Sequence, residues 1–360
     1  MTAALRLRHL DEASPWNAAA QELVCMAATL EAPEVKTFTF ETADKNWFRY
    51  LPGQFITLEL PQAGPDVRRT YTLSSSPSRP FVLSVTVKAQ PGSIGGRWMI
   101  DHLEPGMRLT AHGPAGRFTL HHHPASRYLF ISAGSGVTPM MSMTRWLFDL
   151  DGRADIAFIH AARSPEDIIF RDETEWMARR MPAFRLAWIV ESASGGWAGF
   201  RGRLSAGLLP EMVPDFAGRE IFCCGPGPFM AGVRAMLAAS GFDTRHYHEE
   251  SFQAPADPPA RSPVEPPLRP PGSDAPVLVF AQSGVEHACQ PDHTVLAAAR
   301  SIGINIPSAC QSGLCGTCKI RCLEGRVDMR HDGGISDDEI AAGYILACCS
   351  RPLGRVAVEV

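Results

Sequence analysis

Between Gln21 and about His123, apolar and polar positions alternate in short β-branched runs: Val35–Glu41, Phe55–Leu60, Phe81–Val87 and Arg108–Ala111. Alternation with a period of two puts one face of a strand against a core and the other in water. Pro52-Gly53, Pro91-Gly92 and Pro105-Gly106 punctuate the runs with turns, so the segment predicts an antiparallel β-barrel. One helix, over Gly96–His102, interrupts it. From Tyr128 the pattern changes. Tyr128–Ser132, Asp155–Ala161, Arg185–Val190 and Glu220–Cys224 read as buried strands, and helical stretches at Met140–Asp149, Thr174–Arg180 and Phe229–Ala239 alternate with them. Such alternation predicts a parallel sheet with helices on both faces. The last part of the chain is mixed α and β, with a helix over Val295–Ser301.

The sharpest boundary is Gln253–Pro276, QAPADPPARSPVEPPLRPPGSDAP, which has no hydrophobic period. Proline at this density favours extended polyproline II and forbids helix or central strand, so the stretch reads as a semi-rigid linker. The expected organisation is an N-terminal extension over 1–20, a barrel over 21–123, an α/β domain over 124–252, the linker over 253–276 and a small domain over 277–360. His121-His122-His123 invites a metal reading, but consecutive strand residues alternate faces and cannot easily share one ion. Pro124 follows at once, and an interdomain connection is the better reading.

Composition narrows the class. A chain of 360 residues exceeds one ordinary domain. With 45% hydrophobic and 20% charged residues it is a soluble globular protein, and a net charge of −4 argues against nucleic acid. No apolar run reaches membrane-spanning length, and Met1–Trp16 lacks the apolar core of a signal peptide, so a cytoplasmic location is expected. Ten cysteines there imply thiols or metal ligands in place of disulfides. Cys25, Cys223, Cys289 and Cys322 read as small buried hydrophobes.

The remaining cysteines carry chemistry. Cys310, Cys315 and Cys318 read C-x4-C-x2-C, and Cys348 follows after a long gap. That is the spacing of a plant-type [2Fe–2S] cluster, which carries single electrons. Three thiolates converge only on a tight loop, and Gly313 and Gly316 supply the dihedrals and close approach it needs. A structural zinc site more often uses two C-x2-C pairs, and only one is present.

Three further segments have a physical reading. Gly92-Ser93-Ile94-Gly95-Gly96-Arg97-Trp98 enters the barrel helix, and backbone N–H groups at a helix N-terminus bind anions. Ile131 to Met140, ISAGSGVTPM, is a strand, a glycine turn and then Pro139 at the expected first helical position. It lacks the third glycine of the Rossmann fingerprint. Cys224-Gly225-Pro226-Gly227-Pro228 follows the last expected strand.

Arg69-Thr70-Tyr71-Thr72, about fifteen residues after Pro52-Gly53-Gln54-Phe55, together with Gly113–Phe118, resembles the flavin domain of the ferredoxin–NADP reductase superfamily. The resemblance implies that Arg69 meets flavin phosphate, Tyr71 stacks on the isoalloxazine and Thr72 bonds near N5. A guanidinium fork suits phosphate, and a flat aromatic suits a flat ring. Gly95 and Gly96 would hold the diphosphate; Gly96 stands where the family often has Ser or Thr, and Ser93 could substitute. In the same superfamily Gly134, Gly136, Thr138 and Pro139 form the G-x-G-x-x-P loop that receives the pyridine-nucleotide pyrophosphate. Cys224, Gly225 and Pro226 lie near the nicotinamide. His248 to Phe252 resembles the terminal Glu-x-Phe, which makes Glu250 a catalytic candidate. The C-terminal domain resembles a β-grasp ferredoxin, whose Leu-Ala pair before the ligand selects Cys348, with Cys349 as rival.

Taken together the chain resembles reductase components of Rieske oxygenases, nearest to those that demethylate quaternary amines such as glycine betaine or carnitine. The resemblance implies FAD (FMN is possible), a [2Fe–2S] cluster, NADH and a terminal oxygenase as protein acceptor. At Arg163-Ser164-Pro165-Glu166-Asp167, Arg163 and Ser164 would suit a 2′-phosphate, whereas Glu166 or Asp167 would repel it; the reading leans to NADH. Asp332, Asp337, Asp338 and Glu339 offer an acidic docking patch or a solvated surface. A reductase for a hybrid-cluster protein has the same architecture, and a non-enzymatic redox sensor would need no nicotinamide pocket.

Overall fold

A computed structural model describes residues 20–44, 46–64, 67–90, 92–150, 153–252, 275–290, 292–304, 306, 313, 316, 318–331, 334–335 and 337–360. The chain divides into two compact units, Met1–Phe252 and Gln253–Val360. Most of the proline-rich segment, residues 253–274, lies outside the described residues.

The first unit opens with β1 (Gln21–Ala32), β2 (Val35–Thr42), β3 (Phe55–Glu59), β4 (Arg68–Thr72), β5 (Leu83–Lys88), helix α1 (Ile94–His102) and β6 (Arg108–Ala115). These strands form one antiparallel sheet in the order β4-β3-β6-β1-β2-β5. Its two edges meet. Leu73 bridges Val85, and the Ser74 N–H donates to the Ser84 carbonyl at 2.8 Å, which curls the sheet into a barrel. Leu23, Phe38, Phe40, Ile56, Leu58 and Val85 fill it, as the alternating pattern requires. β5 begins two residues later than the apolar run, because the Pro80 carbonyl accepts the Phe48 N–H at 2.7 Å and a turn leaves Phe81 exposed.

A parallel sheet follows: β7 (Arg127–Ala133), α2 (Val137–Leu150), β8 (Asp155–Ala162), α3 (Arg171–Ala178), β9 (Phe184–Val190), β10 (Phe200–Arg201), α4 (Leu208–Met212), β11 (Glu220–Cys224), α5 (Gly227–Ala239) and β12 (Tyr247–Glu250). The strand order is β10-β9-β8-β7-β11-β12, and every pair is parallel. Each strand feeds both faces: Phe130, Phe158 and Phe222 pack on one side, Leu129, Ile159 and Ile221 on the other. The chain winds outward from β7 and then returns to β11 on β7's other side. Ligand crevices in open α/β sheets form where the winding reverses, beyond the carboxyl ends of the strands. Here that point lies between β7 and β11.

The second unit holds β13 (Val277–Phe280), β14 (Val285–Ala288), α6 (Val295–Ser301), β15 (Lys319–Glu324), β16 (Val327–Met329), α7 (Asp337–Ala341), β17 (Tyr344–Leu346), β18 (Ser350–Pro352) and β19 (Arg355–Val358). A mixed sheet runs β14-β13-β19-β15-β17 and grips α6 through Leu278, Phe280, Val356, Leu296 and Ala299. Thr294 caps α6 by accepting the Ala297 N–H at 3.2 Å. Asp337, Asp338 and Glu339 fill the first turn of α7, where negative charge suits the helix dipole, and Glu339 pairs with Lys319. Cys25, Cys223 and Cys289 are buried; Cys322 is half-buried, its thiol donating to the Glu324 carbonyl.

Candidate functional site

Four polar side chains stand in register across the carboxyl end of the parallel sheet: His160 on β8, Ser132 on β7, Cys224 on β11 and Glu250 on β12. Exposure is 0% for the first three and 5% for Glu250. Ser132 Oγ lies 2.9 Å from His160 Nδ1. Burial, with a smaller push from Lys88, lowers His160 to about 3, so the imidazole is neutral. Burial also lifts the Cys224 thiol well above its usual range, and the neighbouring Glu250 adds to the lift. Burial raises Glu250 to about 8; the nearby Thr72 hydroxyl offsets only part of the rise, and neither carboxyl oxygen makes a well-formed hydrogen bond among the described residues. An uncompensated buried carboxylate is costly, so the group holds its proton near neutrality. Thr72 ends β4 of the barrel. The barrel and the sheet therefore meet at one buried point that gathers Thr72, Cys224 and Glu250.

Two loops frame this point. After β7, Gly134 takes φ +54° in a short 3-10 turn, and α2 starts at Val137. Pro139 is thus the third helical residue instead of the first, still within the turn where N–H groups lack intrahelical partners. The Thr138 hydroxyl donates to the Ser135 carbonyl at 3.1 Å and closes the turn. After β11, Gly225 and Pro226 lead into α5. A Cβ on Gly136 would lie 2.2 Å from the Cys224 carbonyl oxygen, and one on Gly225 would lie 3.1 Å from Ala133 Cβ. The loops touch through their glycines. A Cβ on Gly134 would meet nothing within 4 Å, so that glycine serves the turn and leaves the crevice open.

On the barrel side, β4 pairs with β3 and sets Tyr71 opposite Ile56 and Thr70 opposite Thr57, whose hydroxyls are 3.1 Å apart. Burial raises the Tyr71 phenol well above its usual range, keeping it neutral. A Cβ on Gly95 would come within 2.8 Å of Arg69 Cγ, so the glycine makes room for the arginine stem beside the N-terminus of α1. Ser93 caps that helix, its Oγ accepting the Gly96 N–H at 3.2 Å, and a side chain on Gly96 would crowd the cap. A cavity of about 830 Å³ runs from this helix start to the segment after β8; Lys88, Ser93, Trp98, Arg163 and Asp167 are among its walls.

Helix α2 joins the two halves of the unit. Ser142 Oγ donates to the Ser75 carbonyl at 2.7 Å and accepts the Gly53 N–H at 3.3 Å. Arg145 donates to the Ser74 carbonyl, pairs with Glu173 through two nitrogens and lies 4.7 Å from the Phe170 ring centre. Arg79 grips Asp149 at 2.7 and 2.9 Å. The helix that opens at the glycine turn thus ends on the loop that follows Thr72.

In the second unit, Cys318 and Cys348 are buried and the Cys348 N–H donates to Cys318 Sγ at 3.4 Å. Gly313 and Gly316 take φ +75° and +71°, and a Cβ on either would lie within 2.8 Å of neighbouring atoms. The dihedrals and close approach expected of these glycines are present, and bare backbone there fits a compact inorganic core. Cys349 Sγ faces the Leu346 carbonyl at 3.6 Å. Cys310 and Cys315 lie outside the described residues.

Residues 23–120 match the oxidoreductase FAD-binding domain, 130–235 the oxidoreductase NAD-binding domain and 279–353 the 2Fe-2S iron-sulfur cluster binding domain. The stachydrine N-demethylase reductase subunit of Rhizobium meliloti (strain 1021) is 50% identical over 342 residues, 94% of this chain and 96% of that protein. The glycine betaine monooxygenase reductase subunit of Chromohalobacter salexigens is 44% identical over 354 residues, 96% of each chain. The chain belongs to this family of oxygenase reductase subunits. Its fold is shared with the solved phthalate dioxygenase reductase, at a TM-score of 0.58 and 22% identity over 95% of this chain and 98% of that one.

The reductase therefore carries FAD-binding, NAD-binding and [2Fe–2S] domains in that order. Several residues of its crevice were not singled out from sequence. Lys88 and Trp98 line the cavity; the signal for Trp98 was an aromatic just past the glycine helix entry. His160 left no signal, because a histidine inside an apolar strand reads as core. Ser142, Arg145 and Asp149 lie on a helix whose polar positions resemble an ordinary solvated face.

Proposed function

We propose that the reductase oxidises NADH and delivers the electrons singly to a terminal oxygenase that acts on a quaternary ammonium compound. The observation that carries this reading is the meeting of Thr72, Cys224 and Glu250 where the two glycine loops touch. When bound, FAD would supply two-electron acceptance from NADH and a [2Fe–2S] cluster would supply one-electron transfer, which together would turn a two-electron donor into a one-electron supply. The chain's own residues do the placing. Arg69 and the α1 N-terminus hold flavin phosphate, Gly95 and Gly96 letting the anion approach backbone. Tyr71 would hold the flavin ring by stacking, with Thr70 packing its strand and Thr72 offering a hydroxyl to the ring's polar edge. Gly134, Gly136, Thr138 and Pro139 shape the pyrophosphate turn. Cys224, Gly225 and Pro226 form the nicotinamide wall, and Glu250 holds a proton beside it. Cys310, Cys315, Cys318 and Cys348 ligate the cluster. The linker 253–276 joins the cluster domain, 277–360, to the barrel and sheet domains, 21–123 and 124–252.

NADH is preferred over NADPH because Asp167, whose carboxylate accepts the Ser164 hydroxyl at 3.1 Å, lines the cavity, and the adjoining Glu166 is held ionised. Carboxylates there repel a 2′-phosphate. The quaternary ammonium acceptor system follows from the two relatives, whose names specify stachydrine and glycine betaine. An anaerobic titration tests the reading: flavin and iron–sulfur absorbance bleach at low NADH, and NADPH requires at least about ten times more, equivalent to a loss of roughly 1.4 kcal/mol. Equal bleaching by both nucleotides removes the NADH assignment; no flavin band in loaded protein removes the reductase reading.

A further inference from the structure

The end of the parallel sheet opposite the cofactor crevice carries a second cluster of ligating groups. Glu220 is the first residue of β11, whereas Cys224 is the last, so about 13 Å of strand separates this cluster from the crevice. Glu220 Oε1 lies 2.6 Å from His248 Nε2, and Oε2 lies 2.8 Å from His246 Nδ1. The His123 ring stacks on His248 with centres 3.5 Å apart. His121, His122 and His123 lie in a turn between the barrel and β7, not in a strand, and His123 faces β11 and β12. One ligand atom each from His123, Glu220 and His248 falls within 4.8 Å of the others.

We infer that His123, Glu220 and His248 bind one divalent transition-metal ion of the zinc class, which pins the barrel-to-sheet connection onto the sheet. Two imidazoles and a carboxylate suit a borderline ion, and ligands about 2.0–2.2 Å from such an ion stand roughly 3.3 Å apart, so binding requires the His123 ring to rotate out of its stack on His248 until both nitrogens converge. On binding, the metal takes the place of the proton that His248 Nε2 now shares with Glu220 Oε1, and that proton leaves to solvent. His246 already contacts Glu220 and is positioned to orient it.

The test is calorimetric titration of the full chain, loaded with flavin and cluster and stripped of adventitious metal, with zinc chloride. Wild type takes up one equivalent more than His123→Ala, and more than His248→Gln. Saturating zinc raises its melting midpoint by roughly 5 °C, a shift absent in both variants. His121→Ala behaves as wild type, and NADH–dye turnover is the same in all four proteins. Equal zinc uptake by wild type and His123→Ala overturns the assignment, as does loss of the extra equivalent in His121→Ala or no wild-type binding below about 100 μM zinc, weaker than roughly −5.5 kcal/mol.

Discussion

Glu250 has Cys224 beside it and Thr72 across from it, and its carboxyl titrates near 8 instead of 4.5. Between those values the folded chain keeps a proton that the unfolded chain has released. Stability therefore falls as pH rises through that window, and above it the loss is complete, on the order of 5 kcal/mol. Replacing Glu250 by Gln keeps the neutral shape and removes the ionisation. Thermal midpoints measured from pH 5 to 9 should fall for wild type and stay nearly flat for Glu250→Gln. The same substitution should erase a pH inflection near 8 in the rate of flavin reduction by NADH; an inflection that survives assigns the proton elsewhere. The position of Glu250 was legible from the terminal Glu-x-Phe resemblance, but its burial was not. Tyr247–Glu250 reads as polar surface, and only pairing with β11 carries it inside.

At the scale of elements, the two loops and helix α2 are one mechanical part. Gly136→Ala drives a methyl group into the Cys224 carbonyl, so one loop must move, at a cost of about 1–3 kcal/mol. The expected outcome is a ten- to hundred-fold weaker NADH dissociation constant in stopped-flow flavin reduction, with flavin content unchanged. Arg145 is 11% exposed at its side chain and joins Glu173, the Ser74 carbonyl and Phe170. Arg145→Met removes the paired cation of Glu173, leaving only the more distant Arg79, and breaking such a partly exposed pair costs about 1–2 kcal/mol. Its melting midpoint should drop by several degrees; an unchanged midpoint would show that the contact is replaceable. The strands of the sheet were readable because burial on both faces writes continuous apolar runs. β12 and α4 were not: β12 is Tyr-His-Glu-Glu, and α4 is five residues long with Pro210 inside. The His123–Glu220–His248 grouping was hidden for a different reason, since only folding brings such distant positions together.

For the whole molecule, the decisive feature is two compact units with separate hydrophobic cores, joined through a stretch dense in proline. Deleting about half of residues 253–274 should leave flavin reduction by NADH unchanged and slow electron delivery to the oxygenase; undiminished delivery would remove the linker from the mechanism. Separate cores predict two calorimetric transitions, and the midpoints of the Glu250, Arg145 and zinc tests belong to the barrel-and-sheet transition. This has a practical consequence at the bench. With its own core, the barrel-and-sheet unit is expected to reduce a small dye without the ferredoxin core. A warmed, oxidised or nicked preparation can therefore keep full diaphorase activity after its output stage has failed. Dye reduction reports the health of the input half alone, and the quality of a batch is read from the ratio of oxygenase-coupled to dye-coupled turnover.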